Sequence, residues 1–176
     1  MKKKLLKLSL IIIVLFSCIN FTSCASFLGY NTTKTKLVHN DKNGTNHIIK
    51  SIALPSQFMS WWDLELYSFN KETIDFGLNF QNPYWLFIDN LEIIIDGHIY
   101  SFEDKENTRE TIGDSAIRES VYFEIPVDLL KEMSTSYNGK INFIGFDENR
   151  EFKISDNIKN EFKDYLNFLD INGDKL

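Results

Sequence analysis

The chain has 176 residues, apolar side chains at 43% of positions and a formal charge of −6 at neutral pH. That length suits one domain large enough to bury well over half of its unfolded surface. The acidic balance excludes a nucleic-acid binder, whose phosphate partner demands a basic footprint.

The first residues carry the clearest pattern. Met1 is followed by Lys2, Lys3, Lys4 and Lys7, then by the apolar run Leu8 to Phe16, with no acidic residue before Asp41. A basic start, a short apolar stretch and small residues after it make a secretory signal. The run falls short of the roughly 20 apolar residues that span a bilayer. Both cysteines of the chain close this segment, in Leu15-Phe16-Ser17-Cys18 and Phe21-Thr22-Ser23-Cys24. Each resembles the lipobox of bacterial lipoproteins: apolar at −3, small at −1, then the cysteine to be acylated. Ala25 and Ser26 after Cys24 favour that position, and Cys18 is the alternative. The resemblance implies a signal peptide over residues 1–23, cleavage, and a membrane anchor on the lipidated cysteine. It places the protein in the cell envelope outside the cytoplasm. Ala25, where some inner-membrane lipoproteins carry aspartate, weakly favours the outer membrane. Cleavage would leave 15 basic against 25 acidic residues and a formal charge of −10. Such a chain has no electrostatic hold on anionic headgroups, so attachment rests on acyl chains.

Residues 24–46 are polar, rich in Asn, Thr and Lys, and without periodicity, which predicts a flexible tether. From His47 to the C-terminus the pattern is that of one β-rich domain. Ile48 to Leu54 is the first expected strand, stopped by Pro55. Trp62, Leu64 and Leu66 then alternate with polar residues, as do Ile74, Phe76, Leu78 and Phe80, and the turn at Asn70-Lys71-Glu72 makes them a hairpin. After Asn82-Pro83, pairing is expected to restart over Trp85 to Ile88. Leu91–Ile95 and His98–Phe102 flank Asp96-Gly97, the strongest short hairpin signal. Residues 103–115 predict a charged loop. Ile117 to Ile125 is a strand with Val121, Phe123 and Ile125 on one face. Pro126 opens a two-turn helix through Met133, and Asn138-Gly139 leads into strands over 140–146 and 151–154. A last helix over 156–170 carries Ile158, Phe162, Tyr165, Leu166 and Leu169 as one stripe, capped by Ser155 or Asp156. The expected fold is mainly β within the α+β class: an antiparallel sheet or sandwich with a short helix and a C-terminal amphipathic helix.

Catalytic patterns are missing. There is no G-x-S-x-G elbow, Walker loop, G-x-G-x-x-G or H-E-x-x-H. His39 and His47 fall in or beside the tether and His98 beside a hairpin turn, poor places for a general base. Asp63, Glu65, Asp75, Asp89, Glu92 and Asp96 lie on or near strands, where the polar phase of an alternating strand is ordinarily its wet face. Asp170-Ile171-Asn172-Gly173-Asp174 misplaces the glycine of a calcium loop and lacks its closing Glu. No metal site and no cofactor are expected.

The aromatics are bunched. Adjacent Trp61 and Trp62 on a strand point to opposite faces, and on an expected strand Tyr84 and Trp85 do the same. One of each pair is therefore a candidate contact residue, of a type enriched at binding hot spots. The sequence thus supports a non-enzymatic, lipid-anchored domain that binds an envelope protein or other surface component. Two rivals stand beside it. One is a carrier of a small apolar ligand or lipid, with Phe76, Leu78 and Trp85 lining the pocket. The other is a hydrolase using an acidic pair.

Overall fold

The computed structural model describes residues 32–40, 44–55, 60–113 and 116–176. The segment read as a secretory signal, with Cys18 and Cys24, lies outside them. The strands are β1 (Lys36–Asn40), β2 (Thr45–Ala53), β3 (Trp61–Ser68), β4 (Thr73–Asn82), β5 (Ile88–Ile95), β6 (His98–Glu103), β7 (Glu106–Ile112), β8 (Ala116–Pro126), β9 (Gly139–Gly145) and β10 (Asn149–Lys153). Helix α1 spans Val127–Thr135 and helix α2 Asp156–Asn172. Two antiparallel sheets result: a six-stranded sheet 1 in the order β1-β2-β3-β4-β8-β7, and a four-stranded sheet 2 in the order β10-β9-β5-β6. This is the mainly β, sandwich-like α+β fold that the alternation predicts.

One face of sheet 1 is apolar because its strands place every second residue inward. Ile48 and Ile52 of β2, Trp62, Leu64 and Leu66 of β3, Phe76, Leu78 and Phe80 of β4, and Val121 and Phe123 of β8 are all buried. Sheet 2 covers part of that face, bringing Phe143 of β9 within 6.1 Å of the Phe123 ring and Phe152 of β10 within 5.8 Å of Trp62. Helix α2 covers another part with the stripe Ile158, Phe162, Tyr165 and Leu169, and Phe162 lies 6.4 Å from Phe76. Ser155 caps that helix by accepting a hydrogen bond from the Ile158 amide. The Asp96-Gly97 turn joins β5 to β6 with φ of 49° and 93°, the pair of positive angles that this tight turn requires.

Three expectations are corrected. In the described part of the segment read as a tether, residues 32–40 and 44–46, Lys36–Asn40 and Thr45–Asn46 are strand residues of the sheet, and Thr33 is hydrogen-bonded to Ser51. Lys36–Asn40 pairs with Thr45–Ile49, Leu37 packs on the core, and Thr35 donates to Asp164 on α2. The stretch 103–115 is not a loop throughout, since Glu106–Ile112 forms the edge strand β7 along β8. Its side chains are mostly exposed, so neither face carries the apolar alternation that would mark a strand. Finally, pairing restarts at Ile88 rather than Trp85, and residues 83–87 form an irregular crossover between the sheets. Among the described residues, no helix is long and apolar enough to cross a membrane.

Candidate functional site

The strand directions place several segments at one end of sheet 1. In register, Ala53 lies beside Asp63, Trp61 beside Gln81, and Asn82 beside Ile117. From Asn82 the chain crosses to sheet 2 through Pro83–Phe87, because Pro83 has no amide to extend the ladder. This crossover carries Tyr84, Trp85 and Phe87. Tyr84 and Phe87 are exposed, and Trp85 is partly buried against the core.

The crossover is held from inside by a carboxylate. Glu119 of β8 falls in the inward phase between Ile117 and Val121 and is wholly buried. Its Oε1 accepts from the Ile88 amide at 2.9 Å, and its Oε2 accepts from the Phe87 and Leu86 amides at 3.2 and 3.3 Å. The Arg109 guanidinium of β7 pairs with the same carboxylate at 3.2 Å and lies 5.1 Å from the centroid of the Phe87 ring. Phe87 has φ of 52°, left-handed backbone that costs a bulky residue roughly 1–2 kcal/mol. Three amide hydrogen bonds to a buried anion are strong enough to hold it there.

A second loop closes against the first. The Phe146 amide donates to the Leu86 and Phe87 carbonyls at 3.1 and 3.4 Å, while its ring is 85% exposed. The approach is so close that a Cβ on Gly145 would sit 2.2 Å from the Leu86 carbonyl oxygen. Arg150 completes the end. It pairs with Glu148 at 2.7 Å, donates to the Tyr84 hydroxyl at 3.1 Å, and lies 5.4 Å from the Trp62 ring centroid. An open cleft of about 450 Å³ beside it is lined by Trp62, Arg150, Phe152 and Ile158.

The two expected aromatic pairs therefore resolve differently. Trp62 points inward and stacks on Phe80 at 4.6 Å, whereas Trp61 is half-buried on the opposite face and donates to Gln81. Tyr84 is exposed and Trp85 mostly covered, but in an irregular crossover and not by strand alternation. Phe87, Phe146, Arg109 and Arg150 were not legible as contact residues. Only the inward phase of Glu119 hinted that something polar organises this end. Phe76 and Leu78, expected around a ligand pocket, are wholly buried core residues.

The carboxylates behave mainly as the wet face. Asp63, Glu65 and Asp75 share the outer face of sheet 1. Glu65 Oε2 accepts from Tyr122 at 2.6 Å and from Tyr67 at 3.3 Å. Burial, with the Glu65 charge added, pushes the Asp63 carboxyl up to about 6. His39 bonds Asn46, and His47 lies on the opposite face of the sheet beside Tyr67 and Phe69. The C-terminal Asp170–Asp174 segment ends α2 and docks through Asp174 on Lys71. Among the described residues, no group of three or more His, Cys, Asp or Glu side chains could hold a metal ion.

No family model matches this chain, and no curated protein and no solved structure was found to match it.

Proposed function

We propose that this chain is a lipid-anchored envelope protein whose β-rich domain is a non-enzymatic binding module, engaging another envelope component through its Tyr84–Phe87–Phe146 end. The N-terminal pattern supports the anchor: Lys2 to Lys7, a short apolar run, and the lipobox-like Phe21-Thr22-Ser23-Cys24, with Cys18 as the alternative. One observation carries the binding reading. Tyr84, Phe87 and Phe146 are exposed, yet the backbone beneath them is fixed by the buried Glu119 carboxylate and by the Gly145–Leu86 contact. Rigid exposed aromatics lose little entropy on binding, which makes them efficient contact residues.

The test is in-cell photo-cross-linking of the full chain, with a photoreactive amino acid at Tyr84 or, as control, at Tyr137. Tyr137 is 95% exposed and precedes β9, whereas Phe146 follows that strand at its other end. An adduct from position 84, to a protein or to lipid as read by mass, and none from 137 is the expected result. Equal labelling at both positions, or none at either, rejects this end as the binding surface. The mass of the mature N-terminus, read from the same sample, tests the acyl anchor separately.

A further inference from the structure

We propose that the component engaged by this end is the lipid–water interface of the membrane that holds the anchor, so that the domain stands on its aromatic end. The inference rests on the reading above and names the partner of that same site. Two observations lead to the bilayer, and the second decides for it.

The first is composition. All three tryptophans and all three arginines of the chain gather here: Trp61, Trp62 and Trp85 with Arg109, Arg118 and Arg150. Trp61, Gln81, Arg118 and Glu110 form one cross-strand row at this end of sheet 1. Trp62 is buried and only supports the rest. Tryptophan and tyrosine concentrate at membrane interfaces, where the ring is half in an apolar medium and its polar edge stays wet. Protein hot spots also favour Trp, Tyr and Arg, so composition alone does not choose between the two.

The second observation chooses. Thr32 and Thr33 run beside Ala53 and Ser51: the Thr33 amide donates to the Ser51 carbonyl at 2.8 Å, and the Ser51 amide to Thr33 Oγ1 at 2.9 Å. Since β1 is antiparallel to β2, the chain on the N-terminal side of Thr32 is joined to the sheet at the Ala53–Trp61–Asn82 end. That is the end carrying the exposed aromatics. An acylated Cys24 stands eight residues before Thr32, a separation of at most about 29 Å even when fully extended. An acylated Cys18 would allow about 50 Å. With the shorter link, the exposed rings of Tyr84, Phe87 and Phe146 are the part of the domain held nearest the headgroups.

Charge does not drive the contact. Arg109 is paired with Glu119, Arg118 with Glu110 and Arg150 with Glu148, so each arginine already has a carboxylate partner. Docking of this kind uses interfacial aromatic burial. It therefore needs no anionic lipid and does not weaken as salt rises, unlike attachment by a polybasic patch.

The experiment uses the full-length protein from cell membranes, reconstituted in vesicles of phosphatidylethanolamine and phosphatidylglycerol. An environment-sensitive fluorescent amino acid replaces Phe146 or, as control, Tyr137. The expected result is an emission shift to shorter wavelength at position 146, with several-fold stronger quenching by a headgroup-nitroxide lipid than at 137. Both effects persist in 0.5 M salt (on the order of a 5 Å screening length) and in phosphatidylcholine alone. An acylated chain whose position 146 stays in water overturns the inference and leaves the anchor standing. A probe shielded in native membranes but not in pure lipid overturns it in favour of a protein partner. Mass spectrometry of the same sample reads the anchor. A non-acylated chain overturns the inference together with the anchor from which it is argued.

Discussion

The wholly buried carboxylate of Glu119 lies 3.2 Å from the guanidinium of Arg109, whose side chain is one-third exposed, so a single ion pair joins the interior of the sandwich to its aromatic end. The same carboxylate accepts three consecutive backbone amides, Leu86 to Ile88. Glu119→Ala strands those donors in the core and leaves Arg109 without its partner. Each buried donor left unpaired costs about 1–3 kcal/mol, which puts the loss of this set at about 3–5 kcal/mol. Urea unfolding is expected to show a loss of that size, with faster hydrogen exchange at Leu86, Phe87 and Ile88. A change under about 1 kcal/mol, the size of an ordinary hydrogen bond, would mean that the crossover is held some other way.

Gly145 supplies the second fastening. A methyl group there meets the Leu86 carbonyl oxygen at 2.2 Å and the Glu148 carbonyl oxygen at 3.0 Å, both backbone atoms with little freedom to move. Gly145→Ala is expected to push the 145–148 loop off the crossover, at a cost of about 1–3 kcal/mol typical of overpacking. Circular-dichroism melts read the loss in stability. Nuclear magnetic resonance shifts of the Phe146 amide, which donates to Leu86 and Phe87, read the displacement. Unchanged shifts at that amide would show that the loop absorbs the methyl group in place.

The four inner strands of sheet 1, β2, β3, β4 and β8, were legible because their alternation is strong. Trp61 and Trp62 split across the sheet as a period of two demands. The same rule, carried through every residue of Ile117–Ile125, places Glu119 inside with Val121 and Phe123. A carboxylate in the apolar phase was thus visible in the sequence, although its partners were not. β7 was hidden for the opposite reason. Glu-Asn-Thr-Arg-Glu-Thr-Ile is an edge strand with both faces largely wet, so no periodicity marks it. The aromatic end was illegible as a unit, because Tyr84 to Phe87, Arg109 and Phe146 to Arg150 are distant in the chain. Only the meeting of the two sheets brings them together.

Asp63 gives a pH dependence whose sign can be worked out. Its carboxyl is raised from 3.8 to about 6 by burial and by the Glu65 charge, so the folded state binds the proton more tightly than the unfolded chain. Between those two values the folded protein carries more bound protons, and stability falls as pH rises through about 6. A two-unit shift converts to about 3 kcal/mol in full. Solvent screening of this half-buried group reduces the expected contribution to about 1 kcal/mol. Asp63→Asn should therefore be more stable than the native chain by about that amount at pH 8, with the two converging below pH 4. Denaturant midpoints measured across pH 4–8 check it, and parallel curves for the two proteins would reject the assignment.

Lys50 tests how far a buried charge in this domain is structural. It sits in the inward phase between Ile48 and Ile52 and is 1% exposed. Its ammonium donates to Asp164 at 2.6 Å and Thr35 at 3.2 Å and pairs with Glu161 at 2.8 Å, tying β2 and the N-terminal segment to α2. The hydrogen bond from Lys50, with one from Thr35, holds the Asp164 carboxyl below the usual range. Both acids reach solvent, so neither is left as a buried lone charge when the lysine goes. Lys50→Met keeps most of the apolar stem and removes only the ammonium, and its expected cost is within about 1 kcal/mol. Lys50→Ala removes the stem as well and opens a cavity, at about 2–4 kcal/mol. In the Met variant the Asp164 carboxyl returns toward its ordinary value, which carboxyl-carbon titration by nuclear magnetic resonance reads directly. Equal destabilisation by Met and Ala would instead assign the stability to the ion pairs and not to the packing of the stem.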